Sequence, residues 1–114
     1  MMIVAHRGAS GAAPENTLAS FKLAWQQDAD AIEGDFRLTK DGVIVCIHDE
    51  DTERLGDKKL TVAESTLEEL KIVDIGSYRG TQFADERIPT LDKVIATIPE
   101  GKRILIEIKC GTEI

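Results

Sequence analysis

ADAIEGDFRL, residues 29–38, is the segment on which the reading of the fold turns. It carries strand-forming residues, and the turn Lys40-Asp41-Gly42 follows it closely, so it predicts a β-strand. Side chains on a strand alternate between faces with period two. Glu33 and Asp35 therefore share one face, and Ile32, Gly34 and Phe36 the other. The same division recurs in RILIEIK, residues 103–109, where Leu105, Glu107 and Lys109 oppose Ile104, Ile106 and Ile108. Purely aliphatic faces need helices against them, which turns the acidic faces toward a shared interior.

Outward from these strands, short β-branched runs alternate with helical patterns, the signature of βα units and a parallel sheet. A first strand is predicted over 2–6, followed by a glycine-containing loop over 8–14. Asn16 or Thr17 can cap a helix to about Gln27, with Leu18, Phe21, Ala24 and Trp25 on one face. A third strand is predicted over 43–48. Residues 49–89 are irregular, with one short helix over 66–73 opened by a capping box at Ser65-Thr66 and Glu68-Glu69. Thr90 opens another helix, with Leu91, Val94, Ile95 and Ile98 at helical spacing and Pro99 and Gly101 at its end.

The expected fold class is thus α/β: the N-terminal half of a TIM-type (β/α)8 barrel, with four parallel strands and an insertion over 49–89 after the third. A complete barrel takes eight strands and ~250 residues, against 114 here. Residues 1–114 then read as the N-terminal part of one barrel domain whose C-terminal half is lacking. The alternative is a half-barrel that associates with itself, because open strand edges invite pairing.

Composition narrows the classes. An apolar fraction of 42% and a charged fraction of 31% describe a soluble globular chain. No stretch approaches the ~20 apolar residues that span a bilayer. Strand-like residues begin at once, without a basic and hydrophobic leader, so a cytoplasmic protein without stable membrane insertion is expected. The net charge of −7 argues against nucleic acid. An anionic substrate would need a metal ion or placed cations to reverse the local field. Cys46 and Cys110 sit in apolar runs and read as buried free thiols.

Three carboxylates converging on one interior cannot all stay ionised unless a cation joins them. Any one of Glu33, Asp35 and Glu107 could be an ordinary ion-pair member, but the three together read as ligands of a hard divalent cation. Magnesium, calcium or manganese would suit such oxygen donors. The two histidines, His6 and His48, each end a strand on the face where barrels build their sites, and read as an acid–base pair. Arg7 suits bidentate contact with a phosphate. Lys109 suits either a phosphate contact or charge balance for Glu107. Glu15 could assist the metal or favour a helix N-terminus, Asp49 could serve the pair or cap a turn, and the acidic run over 49–53 reads as a solvated loop.

His6-Arg7-Gly8-Ala9-Ser10 and Pro14-Glu15-Asn16-Thr17 together resemble the opening signature of the glycerophosphodiester phosphodiesterases. The resemblance continues in order through Glu33-Gly34-Asp35, Thr39-Lys40-Asp41-Gly42, His48-Asp49, Ile88-Pro89-Thr90-Leu91 and Glu107-Ile108-Lys109. It implies a TIM-type barrel that hydrolyses glycerophosphodiesters to glycerol 3-phosphate and an alcohol. It also implies that Glu33, Asp35 and Glu107 hold the divalent ion (Mg2+ or Ca2+), that His6 and His48 are the acid–base pair, and that Arg7 and Lys109 hold the phosphate. Alternatives are a related phosphodiesterase of the lysophospholipase D kind and a catalytically incomplete half-barrel.

Overall fold

The computed structural model describes residues 2–109, so the reading of Cys110 lies outside the described residues. The architecture is α/β. Strand β1 (Val4–His6) is followed by helix α1 (Leu18–Gln26), then β2 (Ala31–Leu38) and β3 (Ile44–Cys46). Two short helices, α2 (Leu67–Leu70) and α3 (Leu91–Ile95), precede β4 (Arg103–Ile108).

β2 is the axis of the sheet. β1 pairs parallel with it at Val4↔Ala31 to His6↔Glu33. β4 pairs parallel along the opposite edge, from Ala31↔Arg103 to Phe36↔Ile108. β3 departs from the expected four parallel strands: it runs antiparallel, with Phe36↔Cys46 to Leu38↔Ile44 in register. The cause is the turn. Thr39 N–H donates to the Val43 carbonyl, and Gly42 adopts φ 83°, so the chain reverses within a few residues. A parallel neighbour would need a crossover of a dozen or more residues. β1, β2 and β4 therefore supply the parallel part of the sheet, and β3 closes a hairpin beside β1's end of it.

α1 starts where the sequence places its cap. Thr17 accepts from Ser20 N–H at 3.1 Å, and Ser20 Oγ in turn accepts from Thr17 N–H at 3.2 Å. Phe21 and Ala24 are fully buried against Ile32 and Phe36, with Leu18, Trp25, Val94 and Ile104 around them. The aliphatic face of β2 thus packs on helices, as period two requires.

β3 behaves differently. Its aliphatic face, Val45 and Ile47, is covered by the insertion through Leu55, Val62, Leu70, Val73, Ile75 and Ile88. Its other face, Ile44 and Cys46, packs into the helix-side core. Cys46 is the buried free thiol expected of it. Among the described residues β4 pairs with β2 alone, and Leu105, Ile106 and Ile108 are about half exposed. Among the described residues, no helix is long and apolar enough to cross a membrane.

Candidate active site

Adjacent strands β2 and β4 bring Glu33, Asp35 and Glu107 together. Each offers a carboxylate oxygen within 4.8 Å of the others. Asp35 is the deepest, with its side chain 1% exposed. Asn16 holds it from below: Nδ2 donates to Asp35 Oδ2 at 3.0 Å, and Asn16 Oδ1 accepts from Asp35 N–H at 3.2 Å. The other oxygen, Oδ1, is buried without a hydrogen-bond partner. A buried carboxylate oxygen without a partner is costly. Its presence beside two further carboxylates is what a cation-binding set of hard oxygen donors provides.

The local field is strained in the sense such a site needs. Burial, then the charge of Asp35, pushes the Glu33 carboxyl above its ordinary range. Lys109 draws Glu107 the other way, with Nζ 2.9 Å from its carboxylate and 3.9 Å from Asp35. Arg7 enters from the β1–α1 loop in a left-handed conformation, φ 57°. Its Nε lies 3.1 Å from Asp35, close enough for an ion pair but without hydrogen-bond alignment, and its Nη1 donates to Glu15 at 3.2 Å. The next residue, Gly8, has φ 80°, and a Cβ there would collide with the backbone of Ser20. Only glycine lets this loop fold tightly enough to aim Arg7 inward.

His6 Nε2 stands 3.6 Å from Glu33. His48 joins the group through a longer chain of contacts. Its Nδ1 lies 2.7 Å from Asp49 Oδ1, and Asp49 Oδ2 accepts from Arg54 Nε at 2.9 Å. Arg54 in turn donates two bonds of 2.9 Å to Glu15, which meets Arg7. Arg37, on the acidic face of β2, fixes the His48 backbone carbonyl with bonds of 3.0 and 2.8 Å.

All seven residues singled out from sequence therefore lie around one end of the sheet. Four others matter that the sequence reading passed over or gave less weight. Of the two candidate caps, Asn16 and Thr17, it is Thr17 that caps, and Asn16 braces Asp35. Glu15 touches two arginines rather than the acid cluster. Asp49 is no solvated loop residue, since Arg54 and then His48 hold its carboxyl down at about 2 against the pull of burial. Arg54 follows the acidic run directly, and that lone cation was the available signal.

With this geometry in view, comparison with known proteins is decisive. Residues 6–113 match the model of the glycerophosphoryl diester phosphodiesterase family. The chain belongs to that family. A glycerophosphodiester phosphodiesterase of Caldanaerobacter subterraneus is 48% identical over 111 residues, covering 96% of this chain and 46% of that protein. A phosphodiesterase of Oleispira antarctica, solved with the product sn-glycerol-3-phosphate, superposes with TM-score 0.92 at 41% identity. That match covers 96% of this chain and 45% of the solved one. A glycerophosphodiester phosphodiesterase from Agrobacterium tumefaciens gives TM-score 0.88 at 37% identity, with 96% of this chain and 48% of that one covered. The chain thus spans about half the length of these phosphodiesterases, and its α/β fold is that of half their barrel.

Proposed function

We propose that this chain carries the chemical centre of a glycerophosphodiester hydrolase, which releases glycerol 3-phosphate and an alcohol. The observation that carries this reading is the convergence of Glu33, Asp35 and Glu107 within 4.8 Å, with His6 beside them. These three acids would hold a divalent cation, Mg2+ or Ca2+, which when bound neutralises them and stabilises charge on the phosphoryl oxygens. Arg7 and Lys109, already at the acid cluster, bind and orient the phosphate.

In this reading His48 Nδ1, 2.7 Å from Asp49 Oδ1, is the protonated nitrogen, and Nε2 is the base that takes a proton from the nucleophile. The nucleophile is water, or the substrate's own 2-hydroxyl, which expels the alcohol to leave a cyclic phosphate that water then opens to glycerol 3-phosphate. His6 gives a proton to the departing alcohol oxygen as its bond to phosphorus breaks. A soluble, cytoplasmic enzyme of lipid and glycerol metabolism fits this chemistry.

The test is release of glycerol 3-phosphate from glycerophosphocholine, with lysophosphatidylcholine as the rival substrate. Turnover that survives thorough chelation, or that favours the acylated lipid, would overturn the reading. A catalytically incomplete half-barrel is the second reading, and the half-exposed Leu105, Ile106 and Ile108 favour it. In that case the chain binds cation without turnover and light scattering reports self-association.

A further inference from the structure

Arg54 lies in the insertion, 39 residues from Glu15 in sequence, yet it spans two carboxylates at once. Nη1 and Nη2 donate to the two oxygens of Glu15 at 2.9 Å each. Nε donates to Asp49 Oδ2 at 2.9 Å, and Nη2 reaches Asp49 Oδ1 at 3.3 Å. A planar guanidinium can serve both carboxylates in this way, whereas an ammonium cannot. The Glu15 side chain is 11% exposed and that of Arg54 47%, so the fork grips an inner residue from an outer position.

The insertion touches the same loop elsewhere. Arg79 donates to the carbonyls of Ser10 at 2.7 Å and Gly11 at 2.9 Å. Glu86 accepts from Ala19 N–H at 3.0 Å, at the start of α1. Loss of Arg54 alone therefore leaves the insertion tethered at two other points. What it removes is the hold on Asp49, the residue bonded to His48 Nδ1. A histidine's tautomer is set by the bond its other nitrogen makes.

We propose that Arg54 is a positioning residue: by clamping Asp49 against Glu15, it keeps the proton on His48 Nδ1 and leaves Nε2 free toward the site. The assignment of His48 as a base rests on the reading under Proposed function, but the tautomer itself does not. The free carboxylate of an unclamped Asp49 would rotate into solvent, and the ring would then sample both tautomers. Through Glu15, the same clamp also fixes the position of Arg7, so one insertion residue sets groups on both strand ends.

The experiment is 15N NMR of the full chain, which has only two imidazoles to assign. Spectra are taken at a pH high enough that both rings are neutral, with Arg54→Ala and Arg54→Lys beside the wild type. In the wild type, His48 is expected as the Nδ1–H form. Arg54→Ala should convert it to a mixture of tautomers, Arg54→Lys should give a smaller change in the same direction, and His6 should stay as it was. Should Arg54→Ala not fold, the lysine variant carries the test. A wild-type His48 in the Nε2–H form, or a wild-type tautomer in the folded variants, would overturn the proposal. A chain without turnover that still shows the expected tautomers would refute the hydrolase reading and leave the clamp standing.

Discussion

Asn16 grips Asp35 at two points, donating from Nδ2 to its carboxylate at 3.0 Å and accepting its backbone N–H at 3.2 Å. Both residues are buried, so neither bond can be replaced readily by water. Asn16 is also left-handed, with φ 56°, a conformation that asparagine tolerates and alanine resists. Asn16→Ala should therefore lose ~2–4 kcal/mol, from an unpaired buried N–H and backbone strain together. Asn16→Gly relieves the strain alone and should still lose ~1–3 kcal/mol. Urea titration of both variants checks this, and a glycine variant as stable as wild type would show that the two bonds hold nothing.

The acid cluster makes a prediction about cation binding that does not depend on turnover. Glu107→Gln keeps shape and removes charge, and its side chain is 53% exposed, so the fold should survive. Calorimetric titration with Ca2+ or Mg2+ should show affinity falling by at least ~10–100-fold, the range known for disturbing a metal site's surroundings. Asp35→Asn should act at least as strongly, since its Oδ1 is fully buried and has no hydrogen-bond partner. Equal affinity in wild type and both variants would remove the metal site.

Histidine replacement separates chemistry from binding. His6 is largely exposed and the His48 side chain about a third exposed, so neither change should unfold the chain. In a turnover assay of the hydrolase, His6→Ala and His48→Ala should each lower kcat by ~100-fold or more, with KM little changed. Losses under tenfold in both would leave the acid–base assignment without support.

The parity of β2 and β4 was legible because period two is a local property, and a single residue's shift would have moved every acid to the wrong face. It placed Glu33, Asp35 and Glu107 correctly from sequence alone. β3 was legible as a strand but not in its direction of pairing, although the tight turn at Lys40-Asp41-Gly42 already implied a hairpin. Residues 49–89 resisted reading for a different reason. Beyond its local caps, this segment is held by bonds such as Arg79 to the Ser10 carbonyl, made across 69 residues, which leave no periodic trace. Arg54 belongs partly to the same class: its place after the acidic run hints at Asp49, but its bonds to Glu15, 39 residues away, leave no local trace.

The Arg54–Asp49–His48 chain also predicts a slope in acid stability. Asp49 has its carboxyl lowered from 3.8 to about 2, by Arg54 above all. A carboxyl depressed in the folded state binds fewer protons there than in the unfolded chain. The stability it contributes is thus fully present above the unfolded value and is lost as pH falls from near 4 toward about 2. The shift corresponds to roughly 2.5 kcal/mol at most, and less once solvent screening of the half-exposed Arg54 is counted. Glu15 slopes in the same direction, because its two arginines outweigh the effect of its burial. Asp49→Asn isolates the contribution of Asp49. Urea unfolding at a series of pH values from 5 down to the acid limit should show the wild-type advantage over Asp49→Asn shrinking by ~1–2 kcal/mol as the wild-type carboxylate is protonated. Parallel curves over that window would mean that Arg54 grips Asp49 without stabilising its charge, and that the pair is too well solvated to matter to the fold.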